Sequence, residues 1–277
     1  MIAISSDKTK VLTLSSLITL LFAPIILQLI NVWWTREDYS HGFFVIPLAF
    51  YMFWVKRREL LTLTSSPLWI GLPILFLGIL SYSISFTVKF HILTNISIII
   101  IILGLLLLFL GWSPTKIVLF PVLFLLFMFP IPEAYYILIT NPLKMIVTRI
   151  SVQLIYLFGI PVYVEGNLLF LSNTQLAVTE ACSGIRSLYS YLMLGCIFAL
   201  ISKRLRTRII LIVSTIFLAI MINVFRVTIT GILASYVGAN ASEGFFHEFS
   251  GIVLFAVGLV IFFLEYMILE KKSVKSG

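Results

Sequence analysis

The chain has 277 residues, of which 61% are hydrophobic and only 11% are charged. A soluble domain is nearer half apolar and a quarter charged, and no water-soluble core could hide this much apolar surface. The composition therefore excludes a soluble enzyme or binding module and defines an integral membrane protein, whose spans are stretches of ~20 apolar residues crossing ~30 Å of hydrocarbon. The net charge of +8 would suit a nucleic-acid partner, but the basic residues fall in short runs between apolar stretches. That placement is a topology signal, and no nucleic acid is expected. The two cysteines cannot build a disulfide framework, so their number says nothing of redox compartment.

The first apolar stretch, 11–31, follows Lys8 and Lys10 and resembles a signal sequence. Asn31-Val-Trp-Trp comes next instead of a small-residue cleavage site, so it is expected to remain as an uncleaved span. Further spans are expected at 42–55, 68–88, 92–111, 117–131, 186–201, 209–236 and 249–268, eight in all. The second and fifth are short, and Pro121 and Pro130 are potential breaks in the fifth. No internal repeat or low-complexity linker appears, so residues 1–277 read as one integral membrane domain.

Between the fifth and sixth spans lies a long segment, 132–185. Its first part, 134–158, alternates apolar residues with Lys144, Thr148, Arg149 and Gln153, the pattern of a helix lying in the membrane interface. Short strands follow around Val162 and Val164, Leu168 to Leu171, and Leu176 with Val178. Glu165-Gly166-Asn167 and Ser172-Asn173-Thr174 supply the turns. The expected fold is an all-α polytopic membrane protein of about eight transmembrane helices, with an interfacial helix and a small extracytoplasmic β-meander that delivers the chain to Cys182.

The basic residues test this count. With the N-terminus in the cytoplasm, the inner segments hold Lys8, Lys10, Lys56, Arg57, Arg58, Lys116, Lys203, Arg204, Arg206, Arg208, Lys271, Lys272 and Lys275, which is 13 of the 19 Lys and Arg. Arg36, Lys89, Lys144, Arg149, Arg186 and Arg226 remain on or near the outer side. The bias fits a multi-pass protein of the cytoplasmic membrane with both termini inside.

The chemistry-bearing residues interrupt this apolar vocabulary. Thr179 to Leu188 reads TEACSGIRSL, with Cys182 where the meander ends and the sixth span begins. Cys182 or Ser183 is suited to cap that helix, and Gly184 admits a close approach of another chain. A thiol at a helix N-terminus feels the positive end of the macrodipole, and Arg186 one turn later adds charge that favours the thiolate. The plainer alternative for Cys182 is a small buried hydrophobe. Cys196 is assigned to packing, being ~21 Å deeper in the same helix, too far to bridge to Cys182.

Arg226 lies ~27 Å along the seventh span from Arg208, near the outer surface, and Asn223 shares its face. An arginine inside a span is by default a functional-site residue, the alternative being snorkelling to the outer headgroups. His247 precedes the eighth span, also on the outer side. It is either a proton carrier that titrates near neutrality or plain interfacial surface, and Glu248 beside it either orients it or is solvated. A thiolate, a cation for a developing oxyanion and an acid/base for a leaving amine form the minimal set for attack on a carbonyl, here on three spans at one expected depth.

Around these residues the sequence resembles the exosortase/archaeosortase family of membrane transpeptidases. The likeness is carried by Glu180-Ala-Cys182-Ser-Gly-Ile-Arg186, by Asn223-Val-Phe-Arg226, by His247, and by Asp38-Tyr-Ser-His41-Gly42-Phe in the first outer loop, so it runs from residue 38 to 251. The resemblance implies a cysteine transpeptidase acting on exported proteins that end in a short motif, a hydrophobic span and a basic tail, with an unidentified acceptor nucleophile. It implies Cys182, Arg226 and His247 as the catalytic set. Glu180, Ser183, Gly184, Arg186 and Asn223 are expected to position the substrate, and His41 either to bind it or to brace the outer loops. Neither a metal nor a cofactor is expected. Two rival classes stay open. A transporter or polysaccharide-assembly component would use Arg226 and His247 to bind an anionic sugar-phosphate, although the repeats common in transporters are missing. A thiol-redox protein would need a partner cysteine that the sequence does not offer at equal depth.

Overall fold

The computed structural model describes residues 8–64, 66–172, 174–178, 185–238 and 245–275, with side chains described from residue 22 onward except 245–248 and 272–275. The chain divides into two compact units, Met1–Pro132 and Glu133–Gly277.

In the first unit, α1 (Lys8–Thr35) is followed by a short 3-10 helix (Glu37–Tyr39), α2 (Gly42–Leu61), α3 (Gly71–Val88), α4 (His91–Leu110) and α5 (Trp112–Phe124), which tightens into a second 3-10 helix (Leu125–Met128). The helices α3 and α4 form an antiparallel hairpin built on small residues. A β-carbon on Gly71 would meet the backbone of Gly104 and Leu108, and one on Gly104 would meet the backbone of Leu75 at 2.6 Å. Such close backbone approach is the usual basis of helix association in lipid, where apolar side chains gain little by leaving the acyl chains. The hairpin turn uses Lys89 at φ 57, whose αL conformation lets Lys89 and Phe90 donate to the carbonyls of Phe86 and Ser85.

The sequence marks both Pro121 and Pro130 as breaks, and only the second acts as one. Pro121 is buried within α5. The helix ends at Phe129, which is extended at φ −89, ψ 135, the conformation that a following proline imposes. α2 continues to Leu61, past the expected end at 55, with Lys56 bonding Glu59 at 2.6 Å and Arg57 stacked on Trp54.

The second unit holds α6 (Glu133–Leu157), strands β1 (Val162–Glu165), β2 (Leu168–Leu171) and β3 (Gln175–Ala177), and helices α7 (Ile185–Ile201), α8 (Leu205–Val237) and α9 (Phe245–Lys275). The expected β-meander is present as a three-stranded antiparallel sheet in the order β1-β2-β3. Gly166 opens the first turn at φ 62 with Glu165 opposite Leu168, so Gly166-Asn167 forms a two-residue type II′ hairpin loop. Alternation along β2 and β3 turns Leu169, Leu171 and Leu176 into a core with Val147 and Ile155 of α6 and Val224, Val227 and Ala234 of α8. The buried face of α6 runs Thr140, Val147, Thr148, Ser151 and Ile155, and Ser151 Oγ donates to the Val224 carbonyl at 3.1 Å. Arg149 and Gln153 lie on its exposed side.

Each of the eight expected spans falls on a helix, but they do not all qualify as membrane crossings. Among the described residues four helices are long and apolar enough: Gly71–Val88, His91–Leu110, Leu205–Val237 and Phe249–Lys271. A fifth qualifies only if 112–128 and 133–157 are counted together as one broken span. The segments Phe22–Thr35 and Ile185–Ile201 are apolar but shorter.

Candidate functional site

The second unit brings three helices to one level. Tyr191 of α7 donates its hydroxyl to the Phe255 carbonyl of α9 at 2.9 Å, a separation of 64 residues. The same separation recurs at the Phe198–Phe262 ring contact further along, so α7 and α9 run parallel. Tyr191 is fully buried at 0% exposure, and only a glycine at 258 leaves room for its hydroxyl. α8 runs antiparallel to both. Gly195 of α7 packs against Thr215 of α8, and Arg226 of α8 against Gly251 of α9.

These registers fix relative heights. Arg226 lies ~16 Å along α8 from Thr215, and Ile185 lies ~15 Å along α7 from Gly195 in the same direction. Arg226 is thus level with the first turn of α7. On α9, Phe249 stands as far before Phe255 as Ile185 stands before Tyr191, so the first turns of α9 share that level. Two helix N-termini, each the positive end of a dipole, and a guanidinium converge there. Chemically, such a cluster is suited to hold an anion, whether a thiolate or an oxyanion.

Arg226 is partly buried and its Nε is shut off from solvent. A β-carbon built on Gly251 would stand 3.4 Å from its Cζ. Asn223, one turn earlier on α8, is 2% exposed. Position 247 lies in the first turn of α9, one turn before Gly251 and on the same helix face, which puts its backbone roughly 6 Å along the axis from the glycine that meets Arg226. The side chain of His247 lies outside the described residues. Arg186 is exposed in the first turn of α7, and its carbonyl accepts the Ser190 hydroxyl at 3.1 Å. Glu180, Cys182, Ser183 and Gly184 also lie outside the described residues. The last described residue before them is Val178, held twice by Asn167: its N–H donates to the Asn167 carbonyl at 2.9 Å, and its own carbonyl accepts Asn167 Nδ2 at 3.0 Å. Cys196 is a free, buried thiol on α7.

His41 belongs to the first unit, where three rings grip one stretch of backbone. Trp33 Nε1 donates to the Met128 carbonyl at 2.9 Å, Tyr39 Oη to Ile131 at 3.1 Å, and His41 Nε2 lies 3.2 Å from the carbonyl of Phe127. These carbonyls belong to the helix end that Pro130 breaks, and a helix end leaves such acceptors without intrahelical donors. Gly42 completes the arrangement, because a β-carbon there would collide with the Trp33 indole. Burial outweighs the neighbouring Phe127 and Asp38 carbonyls and the Asp38 charge, and pushes the His41 imidazole below its ordinary value of 6.5.

Sequence reading missed Tyr191, Gly251 and Trp33. Tyr191 and Gly251 are unexceptional letters in apolar runs, and only the pairing of helices gives them a role. Among the described residues no group of His, Cys, Asp and Glu is arranged to hold a metal ion.

The fold and this cluster define a multi-span membrane protein with a polar, cation-bearing centre at one end of a three-helix group. The chain matches the family model for transmembrane exosortases over residues 33–264, and it belongs to that family. Neither a curated protein nor a solved structure matches it. Membership points to a membrane-embedded cysteine transpeptidase, from a family that acts on exported proteins carrying C-terminal sorting signals.

Proposed function

We propose that the protein cleaves the C-terminal sorting signal of exported proteins at the outer membrane face and transfers them to an acceptor through a thioester on Cys182. In this reading the Cys182 sulfur bonds to the carbonyl carbon of the scissile peptide. The C–N bond then breaks, and the departing amine takes a proton from His247. The acceptor nucleophile next gives its proton to His247 and attacks the thioester, and the sulfur leaves as thiolate. Arg226 stabilises the thiolate and the oxyanion of each tetrahedral intermediate. Glu180, Ser183, Gly184, Arg186 and Asn223 position the signal, whose hydrophobic part lies against the spans with its basic tail in the cytoplasm.

The observation that supports this most is the common level of Arg226, the first turn of α7 just after Cys182, and the turn of α9 that carries position 247. A charge fixed there is oriented before reaction, where it lowers the cost of developing negative charge most. The test is co-expression with an exported protein that ends in a motif, an apolar stretch and a basic tail. Cys182→Ala should leave that substrate full length, and Arg226→Ala should slow its processing by about 10²–10³-fold. Unchanged processing by the Cys182 variant would remove the nucleophile assignment.

A further inference from the structure

The contact between Arg226 and Gly251 carries more than packing. A β-carbon at 251 would lie 3.4 Å from Arg226 Cζ, 3.5 Å from Nη2 and 3.6 Å from Nε. The central carbon is the nearest of the three, so the approach is onto the face of the guanidinium rather than its edge. With its face covered, the guanidinium has its N–H bonds in a plane roughly parallel to the α9 surface. All three of the nearest atoms belong to this one group. Gly258 differs: its neighbours are the Tyr191 hydroxyl and ring and Ile222, an ordinary close crossing of helices. The two glycines share one helix, and only the first has a charged group laid on it.

From this geometry we infer that Gly251 is a positioning residue for Arg226: its missing side chain lets the guanidinium lie flat on the α9 backbone, one turn from His247, and so sets where the positive charge sits in the site. The inference rests on the reading above, in which that charge acts on the Cys182 thiolate. A methyl group at 251 would only just touch the guanidinium, since 3.4 Å is ordinary contact. A branched side chain would occupy the space the guanidinium now fills and turn it off the helix.

The effect is read from the pH dependence of Cys182 alkylation by iodoacetamide, on the full-length protein in detergent with Cys196→Ala as background. Removing a nearby cation raises a thiol's midpoint by about one pH unit or more. Arg226→Ala is expected to raise it so, Gly251→Val to match that rise, and Gly251→Ala, whose methyl only touches the guanidinium, to stay near the wild-type midpoint. Gly258→Ala is the structural control: it should lower the thermal midpoint and leave the alkylation midpoint where it is. If Arg226→Ala shifts the midpoint and Gly251→Val does not, Gly251 is only a packing glycine and the inference falls alone. If Arg226→Ala shifts nothing, the charge does not act on Cys182 and the reading beneath falls as well. Should Gly251→Val fail to assemble, Gly251→Leu decides, because its branch lies one atom further from the helix backbone and still fills the space of the guanidinium: a rise supports the inference and a wild-type midpoint overturns it.

Discussion

At the scale of single residues, His41 shows how a polar side chain in a membrane protein earns its position through backbone groups. Its ring nitrogen meets the Phe127 carbonyl, and Asp38 contributes both a carbonyl and a charge nearby. Burial still dominates and holds the imidazole below its ordinary 6.5. A depressed value means that the folded state favours the neutral ring. That contribution to stability is complete above about 6.5 and is lost as the pH falls through the lowered value. His41→Gln keeps an amide donor but does not titrate. The thermal midpoint of the wild type should therefore exceed that of the variant at neutral pH, and the gap should narrow on acidification. A gap that widens toward acid would reverse the assignment. The sequence singled out His41, Arg226 and Asn223 because polar groups stand out in apolar runs. It left open whether His41 braces or binds, since the carbonyl it meets lies 86 residues away. Gly251 was illegible for a related reason: a glycine's value lies in what its neighbour needs.

At the scale of elements, periodicity and turn residues place the helices and the meander well, because each follows from local rules. Gly166-Asn167 makes the hairpin turn, and the alternating leucines choose the face of the sheet. Local rules miss how elements hold one another. Asn167 was read as a turn residue, yet its side chain also fixes Val178, where β3 hands the chain on toward Cys182. Asn167→Ala should cost about 1 kcal/mol, and it should speed amide exchange at Leu176 and Val178 more than at Tyr163, whose N–H faces β2. Equal exchange in both strands would mean that Asn167 acts only through the turn. The α3–α4 hairpin gives a second case. A side chain at Gly104 would press on the Leu75 backbone, which cannot swing aside as a side chain can. Gly104→Val should destabilise the protein by about 1–3 kcal/mol in thermal or denaturant unfolding. Gly159→Ala meets nothing within 4 Å and is strained only by its φ of 77, so it should cost less.

At the scale of the whole molecule, hydropathy finds apolar helices but does not decide which of them cross. α5 has 13 residues, ~20 Å of helix against ~30 Å of hydrocarbon, and α7 with 17 reaches only ~26 Å. The basic clusters supply an independent constraint. Lys56–Arg58 and Lys203–Arg208 fall on one side only if an even number of crossings separates them: α3 and α4 alone supply two, so the short α5 and α7 must cross together or not at all. Accessibility decides this directly. In a Cys182→Ala, Cys196→Ala background, single cysteines are placed at Thr64, Lys203 and Ser172, the last exposed just past β2. A membrane-impermeant maleimide applied to intact cells should label the cysteine at 172, while those at 64 and 203 react only after permeabilisation. Labelling of 64 and 203 from opposite sides would make the number of crossings between them odd. Protection of 172 in intact cells would put the meander, and with it the entrance to the Cys182 segment, on the cytoplasmic side, where no exported substrate could present its signal.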